Sequence, residues 1–277
     1  PVDLQMHTVY SDGNWLPDEL IDYLLREGFG CAAITDHDRV DTVASLQRLA
    51  LDKGFPLLAA VEMSAFWQGE PFDMLCYGFD PQHNALAALA QEVARRQREN
   101  TMQVYDYLCR YEIIYSRAAG TDAAIPADVQ AVLELPSSAQ PHALVALLKG
   151  HGIEAPGRIL RDAGCDFATS DPAAIVDAAH RSGAVALVAH PGRQDGFVCF
   201  DTALLDELRS IAPVDGIEVY YPAHSAEQME MFREYALKHN LLISSGSDSH
   251  SPDKQLPIKY PAEYSRSLLE RLGIRIM

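Results

Sequence analysis

Short apolar runs recur along the chain: CAAITD (31–36), PLLAAVE (56–62), AVALVAH (184–190), VDGIEVY (214–220) and LLISSGS (241–247). Each is apolar almost throughout and rich in small or β-branched residues. That is the signature of strands buried on both faces, as in a parallel sheet. Helical patterns lie between many of them. Residues 17–28 open with Pro17, Asp18 and Glu19, which suits the first turn of a helix. Asp171 before Pro172 reads as the N-cap of a helix running to about 182. Residues 225–239 and 262–272 also have helical spacing. Repeated strand–helix alternation predicts a parallel α/β sheet or barrel.

The middle of the chain departs from this alternation. Residues 83–112 form one long helical pattern carrying the basic stretch Arg95-Arg96-Gln97-Arg98. A Gly/Thr/Asp loop (119–122) and helices near 126–135 and 141–150 follow, with no strand pattern from about 82 to 165. The expected organisation is a barrel domain built from residues 1–81 and 166–277. Residues 82–165 would form a helical insertion covering the barrel mouth. A chain of 277 residues that is 48% hydrophobic has enough apolar material for a sizeable core.

Composition narrows the function classes. The net charge of −17 argues against an extended basic groove for nucleic acid and against docking on an anionic membrane. No apolar run approaches the ~20 residues needed to span a bilayer. The opening residues, PVDLQMHT, lack the basic and apolar regions of a signal peptide. Five cysteines without a CxxC pair fit a reducing, cytoplasmic setting. Acidic residues are concentrated towards the two ends of the chain, and the middle is almost neutral.

Polar residues cluster where the predicted strands end. The first stretch gives Gln5 and His7, then Ser11-Asp12-Gly13. The next ends in Thr35-Asp36-His37-Asp38, and the third in Val61-Glu62. Asp73 lies in FDMLCYG (72–78), and His190-Pro191-Gly192-Arg193 closes the fifth run. Glu218 lies in the sixth, and Gly246-Ser247-Asp248-Ser249-His250 closes the last. Residues i and i+2 of a strand share a face, so Gln5 points with His7, and Asp248 with His250 if the strand continues. Parallel α/β barrels build their active sites at these strand ends. Imidazoles and carboxylates converging there suit divalent ions such as Zn, Mn or Fe.

The order of these motifs resembles the PHP (polymerase and histidinol phosphatase) superfamily of metal-dependent phosphoesterases along nearly the whole chain. It is most similar to the branch of 3′,5′-nucleoside bisphosphate phosphatases and 5′–3′ RNA exonucleases. The resemblance implies a distorted (β/α)7 barrel with two or three bound ions. It implies His7, Glu62 and Asp248 at the first ion, Glu62 bridging with His190 to the second, and Asp12, His37 and His250 at the third. Arg193 resembles the phosphate-binding arginine, since a guanidinium fork suits phosphate. His250 or His224 would protonate the leaving group, and His142 and His224 would contact substrate. Asp36 and Asp38 would orient an imidazole.

Two departures from the family pattern stand out. The opening His-x-His is Gln5-Met6-His7 here, and a usual histidine is replaced by Asp73. An amide is a weak ligand, whereas Asp73 can still bind and would favour harder ions such as Mn. Gln140-Pro141-His142 also stands where relatives often carry an arginine before the histidine.

Ordinary structural roles account for other residues. His83, His151, His180 and His239 read as surface or hydrogen-bonded histidines, and Cys31 and Cys76 as core. The arginines at 95–98 read as a solvated helix face rather than an RNA contact. Glu218 reads as a hydrogen-bonding group at the mouth; for Tyr220 and Tyr221, core packing and base stacking both stand open. The leading expectation is a phosphoesterase acting on a small phosphorylated substrate such as a nucleotide. An exonuclease on short RNA and a nucleotide-binding module with a degraded metal site are the alternatives.

Overall fold

The computed structural model describes residues 1–116, 124–165 and 167–276, so the expected loop at 119–122 lies outside the described residues. The chain forms two compact units. One comprises residues 1–90 and 169–277, the other residues 91–168.

In the first unit the apolar runs become strands. β1 (Val2–Asp3), β2 (Cys31–Ala33) and β3 (Leu57–Leu58) form a parallel sheet in that order. β4 (Ala60–Trp67), β5 (Glu70–Tyr77), β6 (Val185–Val188), β7 (Gly216–Tyr220) and β8 (Leu242–Ser245) form a second, five-stranded sheet. β6–β7–β8 is parallel, but β5 runs antiparallel to both its neighbours. This differs from the all-parallel expectation. The cause is a two-residue hairpin at Gln68-Gly69, with φ of 52° and 90°. Two positive φ values give the twist that joins adjacent antiparallel strands, and Gln-Gly is a weaker sequence signal for it than Asn-Gly.

The fold is therefore mixed α/β, and its two sheets do not form a closed barrel. Isolated backbone links join their edges near the polar strand ends: Met6 pairs with Ser249, and His37 with Glu62, both in parallel sense. Helices flank the sheets as the patterns predict. Pro17–Arg26 begins with its proline at N1. Pro172–Arg181 is capped by the Asp171 carboxylate, which accepts from Ala174 N at 3.0 Å. Ala226–Lys238 starts in a Ser225/Gln228 capping box. Helices Val40–Asp52 and Thr202–Ile211 complete the alternation. The strands are buried because both faces carry apolar side chains: Val61, Met63, Met74, Val188 and Ile217 share one core with Ile175, Leu205 and Phe232 from the helices.

The second unit contains no strand among its described residues. Its helices are the C-terminal part of Leu86–Arg110, then Ala127–Glu134, Gln140–Gly150 and Pro156–Asp162. It has its own core around Val104, Leu108, Val132, Leu144 and Leu148. Arg95 pairs with Glu92 and Glu99 on its own helix, and Arg98 donates to Leu133 O at 2.6 Å. No described helix is long and apolar enough to cross a membrane.

Candidate metal centre

Eight side chains predicted from the strand ends converge in the first unit. His7 is the hub. Its Nε2 lies 3.0 Å from Glu62 Oε2 and 3.1 Å from Asp248 Oδ1. Neither approach has hydrogen-bond geometry, and both ring nitrogens are buried without a partner. The His7 ring stacks on His37 at 4.7 Å and on His250 at 4.1 Å. Asp12 faces this stack, with its carboxylate 3.8 Å from His7, 4.0 Å from His37 and 3.5 Å from His250. Across the pocket His190 Nε2 lies 3.0 Å from Glu62 Oε1 and 3.7 Å from Asp73 Oδ2. His37 Nδ1 lies 4.0 Å from Asp73 Oδ1.

Among the described residues, three groups have ligand atoms close enough to share an ion. They are His7, Asp12, His37 and His250; His7, Glu62 and Asp248; and His37, Glu62 and Asp73. Asp12 Oδ1, His37 Nδ1 and Asp73 Oδ2 are buried without hydrogen-bond partners, like the His7 nitrogens. Buried polar atoms are almost always paired. Five orphans directed at one another suit a shared cation, and imidazole with carboxylate is the donor set for Zn, Mn or Fe.

The electrostatics agree. Burial opposes charging the His7 ring, yet the Asp248 and Glu62 carboxylates overcome it and hold its pKa well above the usual value. Burial raises Glu62, but His37, His190 and His7 more than reverse this and hold it low. Asp73 is pushed up to about 8, chiefly by burial, with His37 opposing and Glu62 adding. So many buried charges of both signs are costly to assemble unless something neutralises the carboxylates. A divalent ion does so and inverts the local preference for protonation.

Local sequence explains how the ligands get there. Gln5 and His7 do share a face: Gln5 Nε2 donates to Glu62 Oε2 at 2.9 Å, the same oxygen that approaches His7. Gln5 thus positions Glu62. Gly13 has to be glycine, because a Cβ there would lie 2.6 Å from the His7 carbonyl. That close approach brings the Asp12 turn against the His7 ring. Asp248 and His250 meet for a different reason from the one expected. β8 has ended, and Asp248 turns the chain with φ of 55°. Two other residues at the site, Asp38 (51°) and His190 (26°), also have positive φ. Strained backbone of this kind clusters at functional sites.

Other expected roles fall differently. Asp36 does not orient an imidazole. It accepts from Thr8 N, Thr8 Oγ1 and Ser11 Oγ at 2.6–2.7 Å, pinning the turn that carries Asp12. Asp38 accepts from Ser64 N at 3.2 Å. His224 has both ring nitrogens committed to backbone: Nδ1 donates to Val219 O at 2.9 Å and Nε2 accepts from Gly192 N at 3.0 Å. Burial lowers its pKa to about 4, so the ring is neutral. His250 Nδ1 lies 2.8 Å from Asp248 O. That places its proton on Nδ1 and leaves Nε2 as a lone pair, the tautomer of a ligand. Arg193 is bound through Nε and a terminal nitrogen to Asp195, at 2.5 and 3.0 Å, and its guanidinium stacks 3.8 Å above Phe197. His142 is exposed on helix Gln140–Gly150 of the second unit. A cavity of about 680 Å³ in that unit, lined by Arg98, Tyr107 and Arg110 among others, contains none of the candidate ligands.

Two groups at the site were given no role in the chemistry by the sequence. Tyr221 donates to Asp248 Oδ2 at 3.3 Å. The buried Asp3 carboxylate accepts from Gln5 N, Ser247 N and Ile258 N, tying the first stretch to the last motif. The only sequence signal for it is its position two residues before Gln5, on the same face of the first stretch.

No family model matches the chain. It is 28% identical over 259 residues to a 3′,5′-nucleoside bisphosphate phosphatase of Chromobacterium violaceum, covering 91% of this chain and 87% of that protein. It is 26% identical over 254 residues to a 5′-3′ exoribonuclease of Haemophilus influenzae, covering 90% of each. A solved Chromobacterium violaceum structure described as an amidohydrolase with bound sulfate superposes with a TM-score of 0.73 at 26% identity, covering 98% of this chain and 96% of that one. A Bifidobacterium adolescentis structure described as a metal-dependent phosphoesterase has the same fold, with a TM-score of 0.69 at 23% identity and the same coverage. The resemblance read from the motifs is borne out, including its branch: the chain is a relative of phosphoric-ester hydrolases.

Proposed function

We propose that the protein is a divalent-metal-dependent phosphoesterase that removes phosphate from a nucleotide phosphomonoester, such as a nucleoside 3′,5′-bisphosphate. The observation that carries this reading is the cluster of His7, His37, Asp12 and Asp73 around Glu62, in which those four residues have buried ligand atoms that no hydrogen bond uses. His7, Glu62 and Asp248 would hold one ion, Glu62 would reach a second with His190 and Asp73, and Asp12, His37 and His250 would hold a third. Two or three ions of Mn, Fe or Zn suit this donor set. Such ions, when bound, supply an activated water and neutralise charge on the phosphoryl oxygens.

The chain's own residues do the rest. Gln5 holds the Glu62 carboxylate, and Asp36 holds the turn of Asp12. Arg193 offers a guanidinium fork that a phosphate would take from Asp195. His250 and His224, expected as proton donors, are both committed through their ring nitrogens. We therefore assign them to holding the site and leave protonation of the departing oxygen to solvent. A distorted (β/α)7 barrel interrupted at its sheet edges is the architecture we infer. The five cysteines, none of them in a disulfide, support a reducing, cytoplasmic setting.

The exoribonuclease relative spans nearly as much of this chain as the phosphatase does, 90% against 91%, so short RNA is the second reading. The net charge of −17 favours the small substrate. Manganese-loaded protein should release phosphate from a nucleoside 3′,5′-bisphosphate with kcat/KM at least about tenfold above its digestion of short 5′-phosphorylated RNA. The reverse order assigns the exonuclease, and turnover of neither substrate overturns the proposal.

A further inference from the structure

β7 contributes no ligand to the candidate centre, yet the segment from its middle to the start of the next helix touches both of its strained ligands, His190 and Asp248. Glu218, fully buried on β7, accepts from His190 N at 2.9 Å through Oε2. Tyr221, just past the strand, donates to Asp248 Oδ2 at 3.3 Å, and its ring lies 5.2 Å from His190. His224 accepts from Gly192 N at 3.0 Å, and Gln228 donates to Gly192 O at 3.1 Å. A Cβ on Gly192 would lie 2.6 Å from Gln228 Nε2 and 2.8 Å from His224 Cδ2, so the His-Pro-Gly turn is seated tightly on this segment.

The two ligands held in this way have the backbones that least favour their own side chains. His190 has φ of 26° and Asp248 φ of 55°. A non-glycine residue in this region costs on the order of a kcal/mol and persists only when its surroundings impose it. Asp248 directs Oδ1 towards His7 and His250, so the oxygen left for Tyr221 is the one the other ligands do not use. The Glu218 carboxylate likewise takes the His190 N–H and leaves the ring to face Glu62.

We infer that Glu218 and Tyr221 are positioning residues of the metal centre: β7 and its exit act as a brace that holds the strained ligands His190 and Asp248 in their binding orientation. This rests on the metal-dependent reading above and extends it to residues that bind no ion. The brace works by hydrogen-bond geometry. It predicts that Glu218→Gln, whose amide oxygen can still accept the His190 N–H, behaves much like the native chain, whereas Glu218→Ala does not.

The test is Mn²⁺ titration of the metal-stripped full-length chain by calorimetry, with Zn²⁺ in parallel and circular dichroism to establish folding. Tyr221→Phe removes one hydroxyl and leaves the ring packed, so it should fold normally. It should weaken Mn²⁺ binding about 10- to 100-fold, the usual cost of losing a partner that orients a ligand. Glu218→Ala should weaken binding comparably, and Glu218→Gln should restore it to within about threefold of the native chain. Should Glu218→Ala not fold, Tyr221→Phe and Glu218→Gln decide the matter alone. If the native chain binds Mn²⁺ and Tyr221→Phe matches it, the brace is overturned while the metal reading stands. If the native chain binds neither ion, the metal reading fails and the brace fails with it.

Discussion

The two compact units handle charge in opposite ways. In the helical unit, charged groups are met locally and in water. Arg158 faces Asp162 one turn away, Arg95 sits between Glu92 and Glu99, and His151 has its own carboxylate, Asp128, at 2.8 Å. In the α/β unit, four imidazoles share four carboxylates in a buried cluster, and five of the ligand atoms make no hydrogen bond. Exposed pairs are worth little and ask nothing further of the structure. Buried charges with unused ligand atoms ask for a cation. The difference locates the chemistry: a histidine beside a single aspartate at the surface, as His180 beside Asp215 also is, makes one ordinary contact, whereas imidazoles sharing buried carboxylates form a ligand set.

Substitutions can break or sharpen this contrast. The largest effect should come from Glu62→Gln or His37→Ala, each lowering kcat for phosphate release at least about 10³-fold while the chain stays folded. Arg95→Ala, in the helical unit, should change it less than about twofold. Equal effects in the two units would remove the distinction. Arg193→Met should come next, lowering kcat/KM about 10²-fold, with Arg193→Lys recovering only part because an ammonium lacks the fork. Asp195→Asn should leave kcat/KM unchanged or raise it, since Asp195 competes with phosphate for that fork. Asp73→His, which restores the more usual family ligand, should tighten Zn²⁺ relative to Mn²⁺ about tenfold in competitive titration. Unchanged selectivity would take Asp73 out of the ligand set.

The smallest effect concerns stability. His224 has its pKa lowered by burial from 6.5 in the free side chain to about 4 in the fold. The unfolded chain therefore binds the extra proton first, and stability falls as the pH drops from 6.5 through 4. The loss attributable to this ring is on the order of 3 kcal/mol. His224→Asn should lose correspondingly less between pH 6.5 and 4 in urea unfolding curves. Parallel curves for the two proteins would contradict the buried neutral ring.

Much of the centre was legible because its residues stand at the ends of apolar runs, and the alternation that puts Gln5 and His7 on one face agrees with their shared approach to Glu62. What the sequence did not reveal depends on long-range geometry or on left-handed backbone. The Gln68-Gly69 hairpin reverses β5 and gives the second sheet its mixed character. Asp248 meets His250 through a positive φ rather than by continuing the strand. His224 looked like an available acid because nothing in its neighbourhood along the chain announces that Gly192 and Val219 occupy both nitrogens. Glu218 reads from the sequence as a hydrogen-bonding group, but its partner His190 lies some thirty residues away, and Tyr221 announces itself only through Asp248, equally distant in sequence.

The central claim is that this buried cluster binds divalent ions and that phosphate-ester hydrolysis depends on them. The direct measurement is phosphate release from a nucleoside 3′,5′-bisphosphate by the full chain, followed through chelation and then re-addition of Mn²⁺, with Glu62→Gln alongside. Activity that is lost on chelation, returns with Mn²⁺ and never appears in Glu62→Gln is the predicted result. Activity that survives chelation, or that Glu62→Gln retains, would contradict it.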